Sequence, residues 1–133
     1  MMRLLLDTHA FIWFSEDAKQ IDERVKKVIE KPGNDIYLSI ASVWEMAIKI
    51  QLGKLKIDKS IREVIDSAIL NGFELLPILP EHIIKLTTLG FYHRDPFDRI
   101  IIAQGLCENL YLVSKDIVLM NMEYKESGSK TFG

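Results

Sequence analysis

Carboxylates recur in this chain at places where elements begin and end. Asp95 and Asp98 lie within His93-Arg94-Asp95-Pro96-Phe97-Asp98-Arg99, directly ahead of the apolar run Ile100-Ile101-Ile102-Ala103-Gln104. Pro96 suits the first position of a helix, where a missing N–H costs nothing, so Asp95 is the expected N-cap and Asp98 the third residue inside. A cap and a dipole partner, worth about 1 kcal/mol, would account for this pair by themselves. Further acids point past that reading. Leu4-Leu5-Leu6 reads as a short buried strand that stops at Asp7, with Asp7-Thr8 opening a loop. Leu110-Tyr111-Leu112-Val113 reads as a second strand, followed by Ser114-Lys115-Asp116. In an open α/β sheet the ligand crevice lies outside the carboxyl ends of the strands, where Asp7 and Asp116 would both fall.

Glu45 comes from a helix. From Ile40 to Leu52 nearly every residue is apolar, except that Ser42, Glu45 and Lys49 recur at spacings of three and four. They form one narrow polar stripe on a helix otherwise apolar enough to be buried. The stripe must face water, with Glu45 and Lys49 as an i,i+4 pair, or a polar cavity.

Assembled at one crevice, Asp7, Glu45, Asp98 and Asp116 are the expected catalytic acids. Carboxylates held together raise one another's pKa, and they share protons or bind a hard cation. Oxygen-only ligation by Asp7, Glu45 and Asp98 points to Mg²⁺, with Mn²⁺ as a substitute, in preference to Zn²⁺. Such an ion activates a water and neutralises charge on a phosphoryl group, which makes phosphodiester hydrolysis the implied reaction. Thr8, Ser42 and Asp95 are expected to support the ligands through hydrogen bonds. Lys49, Lys54, Lys56 and Lys59 form a basic segment, and Arg94 and Arg99 flank the acidic turn; of these, Lys49 and Arg99 are read as contacts to substrate phosphate.

The elements that must position these groups alternate. Strands at 4–6, 36–38, 73–76 and 110–113 are interleaved with helical patterns at about 20–31, 40–52, 60–71, 80–89 and 96–107. This predicts an α/β fold in three layers, α/β/α, with a mostly parallel sheet of four or five strands and right-handed crossovers. Pro32-Gly33-Asn34-Asp35, Gly53, Asn71-Gly72 and Gly90 punctuate it. With 133 residues and 48% hydrophobic content the chain supports one domain with a substantial core, placed at residues 1–125, and a polar, flexible tail at 126–133.

A net charge of −2 argues against nucleic-acid capture by a global field. The single cysteine, Cys107, excludes an intramolecular disulfide; it is expected in the core, and a reducing cytoplasm is the simplest compartment. No stretch approaches the length of a membrane span or suggests a signal peptide. His9, His82 and His93 are scattered and read as surface or helix-end residues, and Trp13 and Trp44 as core or interface residues.

Leu-Leu-Leu-Asp7-Thr-His, Ser39-x-x-Ser42-x-x-Glu45-Met-Ala-Ile-Lys, His93-x-Asp95-Pro-Phe-Asp98-Arg99 and Leu112-Val-Ser-x-Asp116 together resemble a PIN-domain ribonuclease of the VapC toxin type. The match is ordered and runs from Leu4 to about Asp116. The resemblance implies Mg²⁺-dependent cleavage of single-stranded RNA, homodimerisation, and neutralisation by a cognate antitoxin. It also implies that Asp7, Glu45 and Asp98 bind metal, with Asp116 as a fourth, more variable acid. The alternative is a PIN-like subunit that binds RNA or protein with little catalysis. A phospho-acceptor receiver would need an acidic pair after the first strand and an acceptor Asp after a middle strand, where this chain has a lone Asp7 and Ser39. A haloacid-dehalogenase phosphatase would need an Asp where His9 stands.

Overall fold

Leu4, Leu5 and Leu6 are all fully buried, yet their side chains enter two separate cores, Leu4 and Leu6 in one and Leu5 in the other. Side chains alternate across a strand, so a strand buried at every residue must be covered on both faces. The computed structural model describes residues 1–90 and 95–114, together with the backbone of 118–119.

The chain order is β1 (Arg3–Leu6), α1 (Thr8–Ser15), α2 (Glu23–Glu30), β2 (Asp35–Ser39), α3 (Ile40–Gln51), α4 (Ile61–Leu70), β3 (Phe73–Leu76), α5 (Pro80–Leu86), α6 (Pro96–Glu108), β4 (Tyr111–Val113) and β5 (Val118–Leu119). The described strands form one sheet in the order β3-β2-β1-β4-β5. β1 pairs in parallel with β2 and β4, β2 pairs in parallel with β3, and β5 runs antiparallel to β4. The mostly parallel, three-layer architecture expected from the alternation is therefore present.

One face of the sheet carries Leu4, Leu6 and Leu38 against Ala10 and Phe11 of α1, Val25 and Ile29 of α2, Val43 and Met46 of α3, and Val64 and Ala68 of α4. The other carries Leu5 and Leu112 against Ile100, Ile101, Ile102 and Ala103 of α6. Val25 and Ile29 stand four apart on a helix otherwise rich in charge, so one stripe of α2 is buried and the rest is solvated. α4 starts with a reciprocal capping box between Ser60 and Glu63. Gly72 takes φ +93 between α4 and β3, a turn that a β-carbon would strain.

Several expectations shift. Asp7-Thr8 opens a helix instead of a loop: Asp7 caps α1, whose residues Thr-His-Ala-Phe-Ile-Trp-Phe-Ser carry no clear polar face from which to read a helical period. The helix expected at 80–89 ends at Leu86, and that at 20–31 spans 23–30. Cys107 is exposed, not in the core; its Sγ lies 3.6 Å from the Glu81 carbonyl. His82 sits at a helix end as expected, but it is fully buried: Nδ1 accepts the Leu79 N–H at 3.0 Å, which leaves Nε2 to donate to Glu108 Oε2 at 2.8 Å. Among the described residues, no helix is long and apolar enough to cross a membrane. The tail at 126–133 lies outside the described residues, as do His93, Arg94, Lys115 and Asp116.

Candidate functional site

β1 has β2 on one side and β4 on the other; the helices that follow β1 and β2 pack on one face of the sheet, and α6, which leads into β4, packs on the opposite face. A crevice opens at such a switch point, beyond the carboxyl ends of the strands. Asp7 stands there. Its N–H donates to the Val113 carbonyl at 2.9 Å, which extends the β1–β4 ladder by one bond, while its Oδ1 accepts from the Ala10 N–H at 2.8 Å. One residue thus ends a strand and caps a helix, so the backbone on both sides holds the carboxylate in place.

Glu45 is 2% exposed on α3. Its Oε2 receives Lys49 Nζ at 2.8 Å, and its Oε1 is buried with no hydrogen-bond partner. A buried carboxylate oxygen without a donor is costly, and one left so marks a place where something else is bound. The polar stripe of α3 therefore faces inward. Ser42 Oγ, fully buried, accepts from Thr8 Oγ1 at 2.9 Å. The supporting hydroxyls expected beside the acids thus bond to each other, and they tie α1 to α3.

Asp95 caps α6 as its spacing predicts: Oδ1 accepts from the N–H groups of Phe97 at 2.8 Å and Asp98 at 3.1 Å. Asp98 follows in the first turn, half-buried. Arg99, read as a substrate contact, is tied to backbone here: its Nη1 donates to the Gly90 carbonyl at 2.6 Å and Nη2 to the Leu86 carbonyl at 3.3 Å, which anchors the end of α5.

Electrostatics show that three elements converge. The Asp7 carboxyl is pushed up to about 6, first by burial and then by the negative charges of Asp98 and Glu45, which outweigh the opposing pull of the Ala10 N–H and His9. Lys49 is held more firmly protonated, first by its bond to Glu45 and further by the charges of Asp95 and Asp98. Asp7, Glu45, Asp95 and Asp98 thus act on a common region in which Lys49 is the neutralising cation. Asp116, expected as a fourth acid, lies outside the described residues.

The donor set is all carboxylate, and a hard divalent cation is the ligand that such donors and the orphaned Glu45 oxygen fit. Among the described residues, no three His, Cys, Asp or Glu side chains stand together closely enough to hold a metal ion. Lys49 pairs with one oxygen of Glu45.

The sequence reading missed a further link. Ser39, the N-cap of α3, donates to Gln104 Oε1 at 2.6 Å while accepting from the Ala41 N–H at 2.9 Å, and Gln104 Nε2 donates to the Pro77 carbonyl at 3.1 Å. Both side chains are fully buried. The clue was available in a Gln that closes an apolar run, since a buried amide needs partners. Through it the helices bearing Glu45 and Asp98 are joined.

A family profile described as PIN domain matches residues 4–123. Among solved structures, the chain is similar to VapBC2 from Rickettsia felis, crystallised bound to a DNA fragment from their promoter, with TM-score 0.60 and 16% identity over 84% of this chain and 86% of that one. It is also similar to DNA-bound VapBC from Salmonella typhimurium, with TM-score 0.55 and 15% identity over 86% of both chains. At these identities the likeness is one of fold. No curated protein sequence matches the chain.

Proposed function

Since the chain belongs to the PIN domain family, we propose that it is a divalent-cation-dependent endoribonuclease, the toxin of a VapC-type toxin–antitoxin pair. The observation that carries this reading is the buried Glu45 oxygen without a hydrogen-bond partner, supported by the charges of Asp98 and Glu45 acting on the Asp7 carboxyl. The fold it shares with chains of two VapBC complexes supports the toxin assignment and an antitoxin as partner.

Asp7, Glu45 and Asp98 would hold the ion, Mg²⁺ or Mn²⁺, and Asp116 is proposed to complete the acid set. When bound, the ion supplies a more acidic water and positive charge for the phosphoryl oxygens. The protein's own groups do the rest. Asp7, disposed to hold a proton first by its burial and then by the charges of Asp98 and Glu45, would ligate the ion as the carboxylate. The caps by Asp7 and Asp95 each fix the first turn of their own helix, α1 and α6, so the carboxylates carried there are held without reorganising. Lys49, paired with Glu45 and 37% exposed along its side chain, is the cation that would meet a substrate phosphate. A homodimer in a cytoplasmic setting completes the proposal.

The test is direct. Purified protein is incubated with total RNA and Mg²⁺ or Mn²⁺, with and without excess chelator, beside the Asp98→Asn variant. Cleavage should require the cation and Asp98. Equal cleavage in chelator or in the variant overturns the reading.

A further inference from the structure

Trp44 is 57% exposed although its helix neighbours Val43 and Glu45 are buried at 7% and 2%. An indole left mostly in water forgoes the burial that large aromatic rings normally obtain. The ring is nevertheless held. It meets Phe97 edge to face, with centroids 5.1 Å apart and planes at 85°. Phe97 in turn is held by its N–H bond to Asp95 Oδ1 at 2.8 Å and by packing of its ring against the core beneath α6. Each of the two rings precedes an acid of the proposed site: Trp44 precedes Glu45, and Phe97 precedes Asp98. The aromatic pair therefore spans α3 and α6 at the same junction as the acids.

A site walled by carboxylates on a chain of net charge −2 has little field with which to draw in a polyanion. Beside the local contact of Lys49 to phosphate, contacts that do not depend on charge are needed to add affinity. Stacking on an aromatic face contributes roughly tenfold or more in affinity per base and tolerates any sequence, because every base has a π-face. A base in a single strand can offer that face; one stacked within a duplex cannot. We infer that Trp44, oriented by Phe97, is the platform on which a nucleobase beside the cleaved phosphodiester of single-stranded RNA stacks. The position of that phosphodiester rests on the nuclease reading above. Trp44 is then a substrate-positioning residue, and the rival use of the same ring, burial against a second copy of the chain, is an outcome of the test.

Binding is measured in the Asp98→Asn protein, which is not expected to cleave, with a labelled oligoadenylate and with a fully abasic ribose-phosphate chain of the same length and charge. With Trp44 present, the base-bearing strand should bind at least tenfold more tightly than the abasic one. Adding Trp44→Ala should weaken the base-bearing strand about tenfold and leave the abasic strand unchanged, and Trp44→Phe should retain most of the difference. An unchanged difference in Trp44→Ala, or no preference for the base-bearing strand at all, overturns the platform. So does loss of a dimer in sedimentation with RNA affinity unaltered, which would assign the ring to a contact between copies. Failure of the nuclease reading is seen separately, as absence of cation-dependent cleavage by the wild-type chain.

Discussion

Thr8 Oγ1 donates to Ser42 Oγ at 2.9 Å inside the core, and each hydroxyl adjoins an acid: Thr8 follows Asp7, and Ser42 stands one helical turn before Glu45. This bond sets the distance between α1 and α3 and so between two carboxylates that meet at one crevice. Thr8→Val should leave the Ser42 hydroxyl buried without a partner and cost about 1–3 kcal/mol of stability. Thr8→Val with Ser42→Ala, which removes both polar groups, should recover much of that loss. Urea unfolding of the two singles and the double checks the coupling; additive losses would show that the bond does not join the helices.

Asp95 and Asp98 should separate by substitution. Asp95→Ala removes the acceptor for two N–H groups and should lower stability by about 1 kcal/mol, while Asp95→Asn, an equal cap, should keep the stability and much of the activity. Asp98→Asn should leave the cation-free fold as stable as wild type or more so, and abolish cleavage. Thermal unfolding beside an RNA cleavage assay distinguishes the roles, and an Asp95→Asn protein as inactive as Asp98→Asn would place Asp95 among the site acids.

Asp7 predicts a pH dependence of unusual sign. Its carboxyl lies at about 6 when folded against 3.8 for an aspartate free in water, so the folded chain binds the proton more tightly. Stability from this group is complete below about 3.8, falls as pH rises toward 6, and is flat above. The difference is on the order of 3 kcal/mol, at about 1.4 kcal/mol for each pH unit of separation. Asp7→Asn should keep the cap on Ala10, remove this slope, and be more stable than wild type at pH 7 without divalent cations. Urea midpoints across that range measure it, and parallel curves for the two proteins would refute it.

Lys49 and a divalent cation should substitute for one another at Glu45. Lys49→Met leaves a carboxylate at 2% exposure without its counter-charge and should cost about 2 kcal/mol, reduced from a fully buried pair because the lysine side chain is 37% exposed. Mg²⁺ should therefore raise the melting temperature of Lys49→Met by more than it raises that of wild type. An equal rise in both would mean that cation and lysine do not share Glu45.

Expression of the chain alone should arrest growth, and expression of Asp98→Asn at the same level should not. Growth curves with matched immunoblots check this, and a harmless wild type at good expression removes the toxin assignment.

Local chemistry made much of this protein legible from its residues. Asp95-Pro96 announced a helix start because a cap acts on N–H groups two and three residues away, and the strand at Leu4–Leu6 showed in an unbroken apolar run because a central parallel strand is buried on both faces. Asp7 and Asp98 stood out by type and by place at element ends, and Glu45 as part of the polar stripe on an otherwise apolar helix. What only the tertiary structure decided are the relations between elements. Thr8 and Ser42 are 34 residues apart and Ser39 and Gln104 are 65 apart, and such bonds depend on how helices lie across the sheet. The exposure of Cys107 and Trp44 has the same origin. Both sit on helices apolar nearly all round, where periodicity marks no outer face, and the packing of α3 and α6 about the sheet determines which side chains are left in water.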